Sequence, residues 1–282
     1  MVNWSNYFPS LAVLLGLALT ACQQQPPLYK KPIPDARRPE LSRQLLNGCR
    51  FHYQGTVGET LLLQEALRYG PEEAAPYREL GAPAVKRGLA KDFYRHYAKA
   101  VAYDPVEWQG WRGYLYLYFY RDYERALIDF QTLDTLTPGF VDYPQSTSIL
   151  FMSGICYLQM EQYGQAIDYF DRHIAEELKT VEEAYISTET FLFKGIAESR
   201  QLGWEAAKAT FERGLRNADS KSADLWYWLS KAELQLGQRT AAKEAADSAQ
   251  LQFERGYYHD RPYVEEFYQT YQAQLEEWAA QF

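Results

Sequence analysis

The feature that most constrains this chain is a recurring pair: a small residue followed four positions later by an aromatic or another small residue. Three copies are clean, Ala126 to Phe130, Ala166 to Phe170 and Ala207 to Phe211. A degenerate copy runs from Phe93 to Tyr97 and a late one from Ala242 to Ala246. Their starts lie 33, 40, 41 and 35 residues apart. Four-residue spacing puts both members on one helix face. A small side chain where two helices cross lets the backbones approach, and an aromatic fills the space beside it. One helix pair cannot bury its apolar stripe alone, so the copies must stack. From Leu41 onward the chain reads as almost wholly helical.

Residues around each pair extend the pattern. Tyr77, Leu80 and Gly81 precede Phe93, Tyr97 and Ala100, and Pro105 follows as a helix stop; Pro138 plays that part after Phe130 and Leu133. Gly154 and Tyr157 precede Ala166 and Phe170, and Gly195 precedes Ala207 and Phe211. Trp226, Leu229 and Leu236-Gly237 precede Ala242. This register resembles the tetratricopeptide repeat, a helix–turn–helix unit of about 34 residues. The resemblance implies an all-α solenoid over residues 41–262, with about five repeats clearest over 77–254.

Long spacings predict extra residues around Gly139–Thr147 and Lys179–Thr188. Tyr114 to Tyr120 alternates aromatic and aliphatic residues like a strand. Because Tyr123 to Leu133 fits the second helix of a repeat, we assign it to the helix before. Glu59 to Tyr69 reads as a further helix ahead of the array. After the array, Tyr263, Phe267, Tyr271, Leu275 and Trp278 recur at three- or four-residue spacing. That stripe predicts a capping helix over residues 263–282.

The amino-terminal part has a different character. An apolar run from Leu11 closes on Leu19-Thr20-Ala21-Cys22. Its length fits the apolar centre of a secretory signal, about 7–15 residues, and falls short of the roughly 20 that span a bilayer. The closing residues resemble a bacterial lipobox. That resemblance implies a signal peptide over residues 1–21, cleavage before Cys22, and acyl chains, palmitate among them, on that cysteine. Met1 to Ser10 lacks Lys and Arg, a departure from the usual positive flank. Residues 22–40, with Pro26, Pro27, Pro32 and Pro34, read as a tether. Gln23-Gln24-Gln25 lacks the Asp that resembles an inner-membrane retention signal, so the expected location is the outer membrane, facing the periplasm.

Charge and motif content narrow the chemistry. A net charge of −8 without a Lys/Arg-rich block excludes a phosphate-tracking nucleic-acid surface and adsorption to anionic lipid heads. The histidines, His52, His96, His173 and His259, are scattered, with no H-E-x-x-H, and no G-x-S-x-G or phosphate loop occurs. Carboxylate pairs such as Glu72-Glu73 and Glu276-Glu277 read as solvated helix faces. We expect no enzyme activity, no cofactor and no metal. Cys49 and Cys156 could pair in an oxidising compartment, or Cys156 could be a buried free thiol on a helix face.

What remains is surface. In tetratricopeptide arrays the first helices line a concave groove that receives an extended peptide or a partner's helix. The register aims Arg78, Lys86, Trp108, Trp111, Tyr118, Phe119, Phe151, Leu192, Arg200, Tyr227 and Lys231 at that groove, with aromatics central and cations toward the ends. Aromatics and Arg are the usual interface anchors. The expected function is a membrane-anchored scaffold that binds a protein partner. Two alternatives stand beside it. Lipobox, repeat number and size resemble the tetratricopeptide lipoprotein of an outer-membrane β-barrel assembly machine. Exposed Trp and Tyr would also suit surface glycan capture.

Overall fold

The computed structural model describes residues 34–282. The signal peptide, Cys22 and the tether as far as residue 33 lie outside the described residues. Among the described residues there are thirteen α-helices and no strand. The first is α1 (Arg38–Gly48), which begins just before the expected Leu41, and α2 (Val57–Tyr69) pairs with it as an additional hairpin.

Five repeats follow. They are α3 (Ala74–Lys86) with α4 (Ala90–Tyr103), α5 (Pro105–Leu115) with α6 (Tyr123–Leu136), and α7 (Ile149–Gln159) with α8 (Tyr163–Glu177). Then come α9 (Thr188–Gln201) with α10 (Trp204–Asn217), and α11 (Ala223–Gln235) with α12 (Arg239–Glu254). Side-chain caps set several starts: Asp104 accepts from the Glu107 amide, Ser148 from Leu150, Ser187 from Glu189 and Ser222 from Leu225. Each satisfies one of the amides a helix start leaves unpaired. The extra residues of the long spacings are loops, 137–148 and 178–187, each holding one short 3-10 turn.

Within four repeats a glycine on the first helix faces an aromatic on the second. A Cβ on Gly81, Gly113 or Gly154 would come within 2.6–2.7 Å of Tyr97, Phe130 or Phe170, and Gly195 meets Phe211 closer still. Ala126, Ala166, Ala207 and Ala242 are fully buried, as the small member of each pair requires. In the fifth repeat Ser230 takes the glycine's place and donates to the Ala242 carbonyl at 2.6 Å.

The run Tyr114 to Tyr120 is helical, and Tyr116–Tyr120 widens into a π turn closed by Arg121 at φ 52°. Tyr116 and Tyr120 pack on Phe93, at 5.6 and 4.8 Å between ring centres. Tyr114 and Tyr118 face the opposite way. Cys49 and Cys156 are buried free thiols; burial pushes both thiols up, Cys156 far above the usual range.

The carboxy-terminal stripe differs from expectation. Only Gln272–Ala279, α13, is helical. Residues 257–271 form an extended, irregular strap in which Tyr263 (φ 73°) and Tyr268 (φ 53°) occupy the left-handed region. Pro262 cannot donate within a helix, and Gly256 at φ 82° turns the chain out of α12. Tyr263, Phe267 and Tyr271 therefore do not share a helix face with Leu275 and Trp278.

Candidate partner-binding groove

The strap leaves the last repeat and lies across the first helices. The Tyr257 carbonyl accepts from the Ala223 amide at 2.7 Å. The His259 amide and Nδ1 both reach Asp224 Oδ2, at 2.9 and 3.0 Å, and its Nε2 lies 2.8 Å from Thr188 Oγ1. Three elements, α9, α11 and the strap, thus meet on one imidazole.

This trio has the connectivity of a base-activated hydroxyl, so its proton inventory matters. Burial disfavours the charged ring, yet the Asp224 hydrogen bond and the charges of Glu189, Asp224 and Glu266 raise its pKa. A raised pKa favours the protonated ring, which donates from both nitrogens and so latches Thr188 and Asp224 to the strap.

Farther along, Arg261 donates to Glu266 Oε2 at 2.6 Å and to the Tyr114 hydroxyl at 3.3 Å, with its guanidinium 3.9 Å from the Tyr118 ring centre. The Glu266 carboxylate also accepts from the Phe267 amide at 2.8 Å. Phe267 is buried between Tyr118 and Tyr123, at 5.7 and 6.1 Å, and Arg121 covers it at 3.9 Å while donating to the Glu265 carbonyl. Tyr268 packs on Phe193 and edge-on to Trp228. Lys86 lies over the exposed ring of Tyr263 at 4.8 Å.

These contacts sort the expected groove residues. Tyr118 faces the groove but is only 1% exposed, because the strap covers it. Tyr227 is buried beneath Trp278 of α13, with ring centres 5.9 Å apart. Lys231 sits among Tyr227, Trp228 and Trp278, at 4.2, 4.4 and 5.7 Å. Burial, with the Arg200 charge, lowers its ammonium to about 8. Phe151 and Leu192 are core residues: Phe151 packs on Phe170 and Phe193 between repeats, and Leu192 is 1% exposed. They belong to the packing face between helices. Arg200 is exposed.

Arg78, Lys86, Trp108, Trp111 and Phe119 remain accessible at the amino-terminal end. Arg78 stacks over Trp108 and Trp111, at 5.5 and 4.9 Å. A cleft of about 390 Å³ opens there, lined by Arg78, Lys86, Trp111, Phe119, Arg261 and Tyr263 among others. Its lining contains three cations and no carboxylate, although Arg78 pairs with Glu79 and Arg261 with Glu266 nearby. The strap and the latch escaped sequence reasoning, because no local spacing links His259 to partners 35 and 71 residues away. Among the described residues no group of three or more His, Cys, Asp or Glu is placed to hold a metal ion.

No protein-family model and no curated protein matches the chain. Solved structures do. PilF of Pseudomonas aeruginosa is 19% identical, covering 78% of this chain and 93% of its own, with a TM-score of 0.56. PilW, described as a type IV pilus biogenesis factor, is 16% identical over 78% and 94%, with a TM-score of 0.55. YrrB, described as a tetratricopeptide protein with an unusual peptide-binding site, is 20% identical over 67% and 91%, at 0.51. Repeat geometry and these likenesses agree: the chain has the tetratricopeptide-type helical-repeat fold.

Proposed function

We propose that this protein is a lipid-anchored, non-enzymatic scaffold of the bacterial envelope that docks protein partners on its first-helix face. The observation that carries the reading is the cationic, aromatic cleft beside Arg78, Trp111 and Phe119, walled on one side by Arg261 and Tyr263 of the strap. Aromatic and Arg anchors around a partly desolvated pocket are what a protein interface uses. Helical repeats supply such a face as a rigid, extended surface. The fold's occurrence in YrrB, a protein with a peptide-binding site, supports the same reading. Anchoring rests on Leu19-Thr20-Ala21-Cys22, and the residues between Cys22 and α1 would hold the array off the lipid.

A photo-crosslinking amino acid at Phe119 in cells, with palmitate labelling of wild type and Cys22→Ala, tests both halves. The proposal expects label and membrane fractionation that depend on Cys22, and a discrete protein adduct at Phe119. A wild-type chain that takes no label, or a Phe119 probe that captures no protein, would overturn the corresponding half. Recovery of barrel-assembly proteins in the adduct would assign the narrower role; exclusive binding on a glycan array would replace the protein partner.

A further inference from the structure

The groove that a partner would use is already filled, and by a segment of this chain. Residues 257–271 touch α11 at Ala223 and Asp224, α9 at Thr188 and Phe193, α5 and its π turn at Tyr114, Tyr118 and Arg121, and α3 at Lys86. These are the first helices of four repeats. The strap is bound as a ligand would be, through side-chain slots and a few hydrogen bonds. Phe267 fills one slot; Tyr268 lays its ring on Phe193 and edge-on to Trp228 with 36% of its surface still open, while Tyr257 and Tyr263 are more exposed. Tyr263 and Tyr268 hold left-handed backbone, a conformation that costs a non-glycine residue and persists only when surroundings enforce it.

We propose that the strap is a built-in ligand, displaced by an extended acidic segment of a partner that carries two adjacent aromatics. Such a segment would enter at the cationic cleft beside Arg78 and Lys86 and take the places of Phe267 and Tyr268. Charge complementarity argues for the acid: with the strap and its Arg261 gone, the fixed lining of the cleft still holds Arg78 and Lys86 and no carboxylate, on a chain whose net charge is −8. The strap itself argues for the aromatics, since its Glu265-Glu266-Phe267-Tyr268 shows what the face accepts. This inference rests on the scaffold reading and adds to it the partner's chemistry and a gate.

The test uses the full chain and a fluorescein-labelled peptide of sequence 257–271, read by anisotropy. Phe267→Ser empties one slot; Arg261→Gln with His259→Gln releases the strap at two other points and serves if the first variant unfolds by circular dichroism. A folded, released variant should bind the peptide at least tenfold more tightly than wild type. A peptide with both adjacent aromatics changed to serine should lose that gain. Equal binding to wild type and a folded release variant, or a gain that survives loss of both aromatics, would overturn the proposal. A Phe119 adduct that forms while the peptide gains nothing would overturn it too, and would leave scaffolding intact.

Discussion

The guanidinium of Arg261 lies 3.9 Å from the ring centre of Tyr118 and is fixed there by Glu266 at 2.6 Å. A residue beyond the last repeat therefore roofs a tyrosine of the second repeat. Tyr118 is 1% exposed, so the centre of the groove is interior.

The strap should come free without melting the array. Phe267→Ala removes a buried ring, a change that costs about 3–5 kcal/mol in a cooperative core. Here most of that cost should appear as local opening, because strap and repeats are separable layers. Limited proteolysis should cut residues 257–271 at least tenfold faster in the variant, with the main thermal transition nearly unmoved.

The His259 latch should loosen as pH rises. Its pKa is raised despite burial, by the Asp224 hydrogen bond and by Glu189, Asp224 and Glu266. A group raised above its unfolded value, here 6.5, stabilises fully below that value and loses the contribution as pH climbs through the folded one. Glu189, raised chiefly by burial with Glu266 adding and His259 and Arg261 opposing, pushes the same way. Strap cleavage, normalised to an unstructured peptide, should rise between pH 6 and 8.5 in wild type and stay flatter in His259→Gln.

Two glycines should respond with opposite sign. Gly154→Ala drives a methyl to 2.7 Å from Phe170, and overpacking of this kind costs about 1–3 kcal/mol. Gly164, exposed in the first turn of α8, has open space where a Cβ would stand. Gly164→Ala should raise stability by up to about 1 kcal/mol through reduced unfolded-state freedom. Urea titration of both variants checks the pair.

Asp129 is the polar keystone of the second repeat. It is 2% exposed, takes Arg112 bidentately at 2.7 and 2.8 Å, and accepts from Gln109 at 2.6 Å. Asp129→Ala strands the half-buried Arg112, and loss of one partner from such a pair costs about 3–5 kcal/mol. Replacing Asp129 and Arg112 together with Leu and Met should cost clearly less, measured by the same titration.

Repeat architecture was legible because it is written locally. Small residues at Ala126, Ala166 and Ala207 and aromatics at Phe130, Phe170 and Phe211 each do their packing within one or two helices. The groove was legible only in part. Phe151 and Leu192 are buried in the packing between helices, and apolar residues suit either face. The strap was illegible for a different reason. Tyr263, Phe267 and Tyr271 have helical spacing, but Tyr263 answers to Lys86 and Phe267 to Tyr118 and Tyr123, all far along the chain, as Arg261 does to Tyr114, 147 residues away. Local periodicity cannot encode such contacts.

The central claim is that residues 257–271 occupy the first-helix face. The most direct test is an aromatic NOE experiment on full chain with selectively labelled Phe and Tyr, with Phe267 assigned by substitution. The structure places Phe267 5.7 Å from Tyr118 and 6.1 Å from Tyr123 between ring centres, so cross-peaks to both rings are expected. A folded chain in which Phe267 shows neither cross-peak would contradict the account.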